Sequence, residues 1–191
     1  TITINKEGVV DHSDSLGAAG RFMAGDVQWM TAGKGIQHSE MFPLVNETGD
    51  NPLEIFQVCL NLPKASKMVE PHFKMLWQED IPEHHHIDAD NKSTLVQVIA
   101  GKIDETNALD STPDSWAAKP ENAVGVYTVK MDAQAEWTLG KTNSDANRSL
   151  FFFTRVASLK LKAKQYLQII SSRLKQARRS TLKMVMLRRI C

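Results

Sequence analysis

Cysteine is nearly missing from this 191-residue chain: Cys59 and Cys191 are the only two. Cysteines so placed make neither a disulfide framework nor a thiolate zinc pattern, and they favour a reducing compartment, cytoplasmic or, in a eukaryote, nuclear. Long hydrophobic runs are missing too. The densest, LFFF at 150–153, falls far short of the ~20 apolar residues of a membrane-spanning helix. There is no GxxxxGK(S/T) loop and no GxGxxG fingerprint, and Gly33-Lys34-Gly35 is too short to count as a phosphate cradle. Spacing yields no Ser-His-Asp or Cys-His arrangement, and Cys59 lies in a strand pattern that predicts burial.

Other absences are confined to one end. All 22 Asp and Glu fall within residues 1–145, beside 11 of the 23 Lys and Arg; residues 146–191 hold the other 12 basic residues and no acid, Gly or Pro. Composition changes regime there. From residue 159 onward Tyr166, Ile170, Leu174 and Ala177 recur at helical spacing among Lys and Arg, which predicts a basic amphipathic helix. Twelve positive charges with little aromatic interleaving would support only salt-dependent, non-specific binding to nucleic acid or an anionic membrane.

What fills the body is β pattern. Residues 1–5, 27–30, 36–41, 53–62, 94–100, 124–131 and 136–139 alternate apolar and polar side chains between Gly, Asn, Asp and Pro turns. Short strands so punctuated predict an all-β sandwich or barrel. Residues 64–78 are the one body segment with helical character, interrupted by Pro71; 82–92 (PEHHHIDADNK) reads as a polar linker and 104–122 as loop.

The stretch GIQHSEM, residues 35–41, sets His38 and Glu40 two apart, so a strand there aims both from one face. Neutral imidazole plus carboxylate suits non-haem iron or manganese better than a thiolate zinc site. His84, His85 and His86 alternate faces in a polar stretch and read as solvated. His12, among Asp and Ser, reads as a turn residue with a second reading as a hydrogen-bond partner of the site; His72, after Pro71, reads as surface.

The run DHSDSLGAAGRFMAGDVQWMTAGKGIQHSEM, residues 11–41, resembles the pirin family through its DSLG, GDVQWMTAG and GI-HSEM elements. Similarity continues through LEIFQVCLNLPKASKMVEPHF and the following IPE, then more loosely through VQVIAGK to about residue 153. The resemblance implies a two-domain cupin of jelly-roll β-barrels: an N-terminal cupin at 1–81, a linker at 82–92 and a C-terminal cupin at 93–153. Both rolls are expected to be incomplete, with a basic, helical tail at 154–191.

It further implies one metal, Fe(II), in the N-terminal roll, held by three His and one Glu. Two of those His belong to a His-x-His-x-Gly-Phe-Glu-Thr motif, whose last Thr matches Thr1. The remaining ligands match His38 and Glu40, with Glu40 also the group that takes a substrate proton. Half a site is thus expected, with weak iron retention. The activity implied is quercetin 2,3-dioxygenase-type addition of dioxygen to a flavonol; the alternative is a redox-responsive regulator acting through protein partners. Where the resemblance stops, residues 154–191 are expected to be translated out of frame, leaving 151–153 without partner strands.

Overall fold

The computed structural model describes residues 1–140 and the backbone of Phe151–Thr154, Ile169–Ser171 and Leu182–Arg188. Two compact units divide the chain. The first takes Thr1–Asp80 together with Asp110–Ala118, and the second takes Ile81–Leu109 and the chain from Lys119.

Seven strands build the first unit: β1 (Ile2–Glu7), β2 (Val10–Asp14), β3 (Ala19–Phe22), β4 (Val27–Thr31), β5 (His38–Met41), β6 (Glu54–Val58) and β7 (His72–Leu76). They form a four-stranded antiparallel sheet, β6-β1-β4-β7, and a three-stranded antiparallel sheet, β3-β2-β5. The core holds Ile2, Ile4, Val10, Phe22, Val27, Trp29, Val58 and Leu76, all buried. Each such side chain contributes about 1.5–3 kcal/mol on leaving water.

Central strands here are covered on both faces, so polar side chains are buried with the apolar ones. All five residues of β4 are buried, Gln28 and Thr31 among them. A buried polar group must find a partner. Thr31 finds the hydroxyl of Thr112 at 2.6 Å, supplied by the sequence-distant Asp110–Ala118 segment. Gln28 finds His12, its Nε2 3.0 Å from the ring's Nδ1.

The β4–β5 connection turns at Gly33, whose φ of +50° disfavours side chains; a Cβ there would stand 2.1 Å from the Val69 carbonyl oxygen. Lys34 N–H donates to that same carbonyl at 2.9 Å. Only glycine lets the backbone pass so closely on its way to β5.

The second unit carries β8 (Glu83–Ile87), β9 (Ser93–Ala100), β10 (Lys102–Ile103), β11 (Thr106–Asn107), β12 (Gly125–Met131), β13 (Phe151–Thr154), β14 (Ile169–Ser171) and β15 (Leu182–Arg188). Its main sheet runs β14-β13-β15-β12-β9-β8, and β10 pairs β11 as a small hairpin. Val96, Val98, Ile103, Tyr127, Val129 and Met131 form its core, flanked by Ala108, Ala135, Trp137 and Leu139.

The chain is thus all-β, as a cupin jelly-roll fold requires, and several local expectations need correction. The stretch 82–92, expected as a linker, contains β8, paired with β9 from Glu83 to Ile87. Its alternation of polar side chains is an edge strand's, exposed on one side and half-covered on the other. Within 64–78 the only helical feature is one 3-10 turn, Lys64–Ser66, and His72–Leu76 is strand. Residues 136–139 form no strand, although Trp137 and Leu139 pack on the core.

The tail, expected as a helix, is β-strand wherever it is described. Leu182–Arg188 pairs with the whole of β12, and Phe151–Thr154 gains both β15 and β14 as neighbours. Of the helically spaced residues only Ile170 is described, on β14, where it pairs with Phe152 of β13. Tyr166, Leu174 and Ala177 lie outside the described residues, as does most of 154–191, to which the out-of-frame expectation applies. Cys59 is exposed rather than buried, because β6 ends at Val58.

Candidate metal centre

Two triplets of like composition create the site: His12-Ser13-Asp14 on β2 and His38-Ser39-Glu40 on β5. The strands run antiparallel with His12 opposite Glu40, Ser13 opposite Ser39 and Asp14 opposite His38. Directly opposed residues share a face, and so do residues two apart. One face therefore gathers two imidazoles and two carboxylates, each His across from the other triplet's acid, while the serines turn away.

Burial is graded across this quartet. The side chains of His12 and Asp14 are fully enclosed, that of Glu40 is 16% exposed, and that of His38 is 35% exposed. The face opens at His38.

His12 is fixed from three sides. Its ring stacks on Phe73 of β7, centroids 4.6 Å apart and planes 11° from parallel. Nε2 lies 3.2 Å from Asp14 Oδ2, and Nδ1 lies 3.0 Å from Gln28 Nε2. Asp14 Oδ1 meanwhile accepts the backbone N–H groups of Leu16 and Ala18 at 2.9 and 3.1 Å. Burial pushes the Asp14 carboxyl up, but the His12 hydrogen bond and the two backbone donors outweigh it and hold the group below its ordinary range. An ionised Asp14 accepts only, so it holds a proton on His12 Nε2, and the neutral form of the ring presents a lone pair at Nδ1.

Glu40 Oε1 is buried and has no hydrogen-bond partner. It stands 3.9 Å from His12 Nδ1 and 3.9 Å from His38 Nδ1. An orphaned carboxylate oxygen facing two imidazole nitrogens is costly to bury without a cation. His12, His38 and Glu40 are the one group of three or more potential ligands among the described residues, their donor atoms all within 4.8 Å of one another. Donors about 2.1 Å from a common ion at tetrahedral angles lie about 3.4 Å apart, so closing the 3.9 Å pairs takes about 0.5 Å. The donor set fits a divalent first-row metal, two histidines and one carboxylate.

His12 was the residue that the sequence hid. It lies in a strand and is 3% exposed, contrary to its turn reading, and its hydrogen bond with Asp14 agrees with the second reading. The signal available was the recurrence of His-Ser-acid. Of the other histidines, His72 lies on β7 beside Asp114 at 3.0 Å. His84 pairs with Asp104 at 3.5 Å and His85 with Glu83 at 3.4 Å, and none of these joins such a group among the described residues.

Residues 1–60 match the family model Pirin. Through these residues the chain is similar to the pirin family. A candidate quercetin 2,3-dioxygenase of Pseudomonas aeruginosa is 40% identical over 102 residues, 53% of this chain and 35% of that protein. Pirin-1 of Arabidopsis thaliana is 44% identical over 101 residues, 53% of this chain and 31% of its own length. The chain thus spans about a third of the length of these relatives. A crystal structure of quercetin 2,3-dioxygenase from Acinetobacter baumannii shares its fold with a TM-score of 0.67 at 23% identity, covering 98% of this chain and 63% of that one. No helix among the described residues is long and apolar enough to cross a membrane.

Proposed function

We propose that the first unit holds a metal centre in which His38 and Glu40 occupy the pirin-family ligand positions and His12 stands as a further donor, serving addition of dioxygen to a flavonol-like substrate. One observation carries this reading: the buried Glu40 Oε1 has no partner and faces His12 Nδ1 and His38 Nδ1 at equal distance. Three protein donors converge where the resemblance alone offered two. The naming of several relatives for quercetin 2,3-dioxygenase supports the substrate class.

Fe(II), when bound, supplies the Lewis-acid and one-electron chemistry that dioxygen addition needs. The chain's own residues set the stage for it. Asp14 holds the His12 tautomer, so a neutral nitrogen faces the centre. Phe73 walls the buried side and excludes water there. The open side at His38 admits an aromatic substrate. Glu40 accepts the proton of an incoming flavonol hydroxyl at a carboxylate oxygen, which leaves the substrate electron-rich toward dioxygen.

Anaerobic loading with Fe(II), followed by oxygen-electrode assay with quercetin, tests this. Oxygen uptake that needs both iron and flavonol, and that drops at least 100-fold in Glu40→Gln, supports the enzyme. Retained iron without flavonol-dependent uptake leaves the alternative, a regulator that works through a protein partner.

A further inference from the structure

We propose that the second unit holds a metal site of its own, with His84 and His86 of β8 and Asp104 of the β10–β11 hairpin as ligands for a zinc-like divalent ion. The site shares no residue with the centre in the first unit and does not rest on it.

Register decides which of the three consecutive histidines belong. Strand β8 pairs antiparallel with β9, setting His84 opposite Val96, His85 opposite Leu95 and His86 opposite Thr94. Directly opposed residues share a face. Val96 belongs to the core of the second unit, and Thr94 is fully buried. His84 and His86 therefore stand side by side along the rim of that core, both half-buried, while His85 is exposed on the other face beside Glu83. Residues two apart on one strand have Cα atoms about 6.7 Å apart, so two imidazoles so placed can reach one ion.

Three observations point to a ligand there. His84 Nε2 stands 3.5 Å from Asp104 Oδ2. That is longer than the ~2.7–3.2 Å of a good N–H···O bond, yet close to the ~3.4 Å between two donors on a tetrahedral ion with bonds of about 2.1 Å. His86 is half-buried and makes no hydrogen bond or ion pair among the described residues. Across from it, the Thr94 hydroxyl is buried and has no partner, an orphan that a metal-bound water beside His86 would satisfy.

His84, His86 and Asp104 do not gather their donor atoms within 4.8 Å, as the first-unit group does, so the His86 ring must turn to complete the set. Two imidazoles and a carboxylate suit zinc, and three protein ligands leave a fourth position for water. An ion so held ties the edge strand β8 to the hairpin.

Zn(II) competition titration against a chromophoric chelator tests this, on the full chain carrying His38→Ala and Glu40→Ala so that the first-unit centre does not contribute. That chain should bind one Zn(II). His84→Ala, His86→Ala or Asp104→Asn added to it should each weaken binding at least about tenfold, since even the outer partners of metal ligands are worth about 10–100-fold. His85→Ala should change binding by less than about twofold. A solvated histidine tract gives the other pattern, in which His85→Ala costs as much as its neighbours, and that result overturns the site. So does Zn(II) binding that is absent from the start or unaffected by Asp104→Asn.

Should the background variant fail to fold, imidazole NMR of wild type decides instead. On adding Zn(II), the His84 and His86 rings should shift together while His85 stays still. Equal shifts of all three rings, or none at His86, overturn the proposal.

Discussion

Replacing Asp14 with Asn tests the tautomer on which the whole centre depends. Asp14 spends one oxygen on the N–H groups of Leu16 and Ala18 and the other on His12 Nε2. In Asp14→Asn the amide oxygen keeps the backbone bonds, because only it can accept them. The amide NH₂ is then left facing the Nε2 proton of His12, donor against donor. Relief requires His12 to move its proton to Nδ1, where it meets the NH₂ of Gln28 at 3.0 Å, again donor against donor. Either the ring or the Gln28 amide must rearrange within an enclosed site.

A hydrogen bond to a charged group contributes about 1.5–3 kcal/mol, and the unrelieved donor adds a penalty of similar order. We therefore expect Asp14→Asn to lose about 2–4 kcal/mol in urea denaturation. It should also lose the Nε2–H signature of His12 in ¹⁵N NMR and most divalent-metal affinity. Stability within about 0.5 kcal/mol of wild type, with an unchanged His12 tautomer, would show that Asp14 does not set the ring's proton.

Gly33→Ala places a methyl into the Val69 carbonyl at positive φ and should destabilise the first unit by about 1–3 kcal/mol, read by denaturation. Thr112→Val strands the Thr31 hydroxyl in a buried site and should lose about 1–3 kcal/mol, with the Thr31→Val, Thr112→Val pair recovering much of it. Asp88 accepts the backbone N–H groups of Glu136, Lys92 and Asp90, the first of these the strongest influence, and its carboxyl is held below its ordinary range. A depressed folded pKa means that its stabilisation is present above the unfolded carboxylate pKa and fades as pH falls through the folded one. Asp88→Asn should therefore narrow its stability gap from wild type as pH drops below about 4, followed by denaturation across pH.

Alternation made most of the β architecture legible, because period-two patterning survives wherever one face is wet. It failed where both faces are covered or both are polar. Residues 11–15 read as a turn because Asp and Ser surround His12, yet β2 buries His12 and pairs on both sides. The EHHHI strand failed for the opposite reason, since an edge strand need bury nothing. In the tail, Leu182–Arg188 is strand because β12 offers seven partners in register, information that no local window contains.

The site divided along the same line. His38 and Glu40 were legible as a same-face pair on one strand. His12 was not, because its place in the centre depends on the register of β2 against β5, a long-range fact. Gln28 and Phe73 come from the facing sheet and carry no motif that would single them out.

In the proposed centre this chain supplies two imidazoles and a carboxylate to one metal ion. X-ray absorption at the iron edge of the full chain, loaded anaerobically with Fe(II) and desalted, tests it most directly. Wild type should hold one iron per chain with two imidazole ligands, falling to one in His12→Ala. Iron lost on desalting, or a wild-type spectrum with a single imidazole, would contradict it.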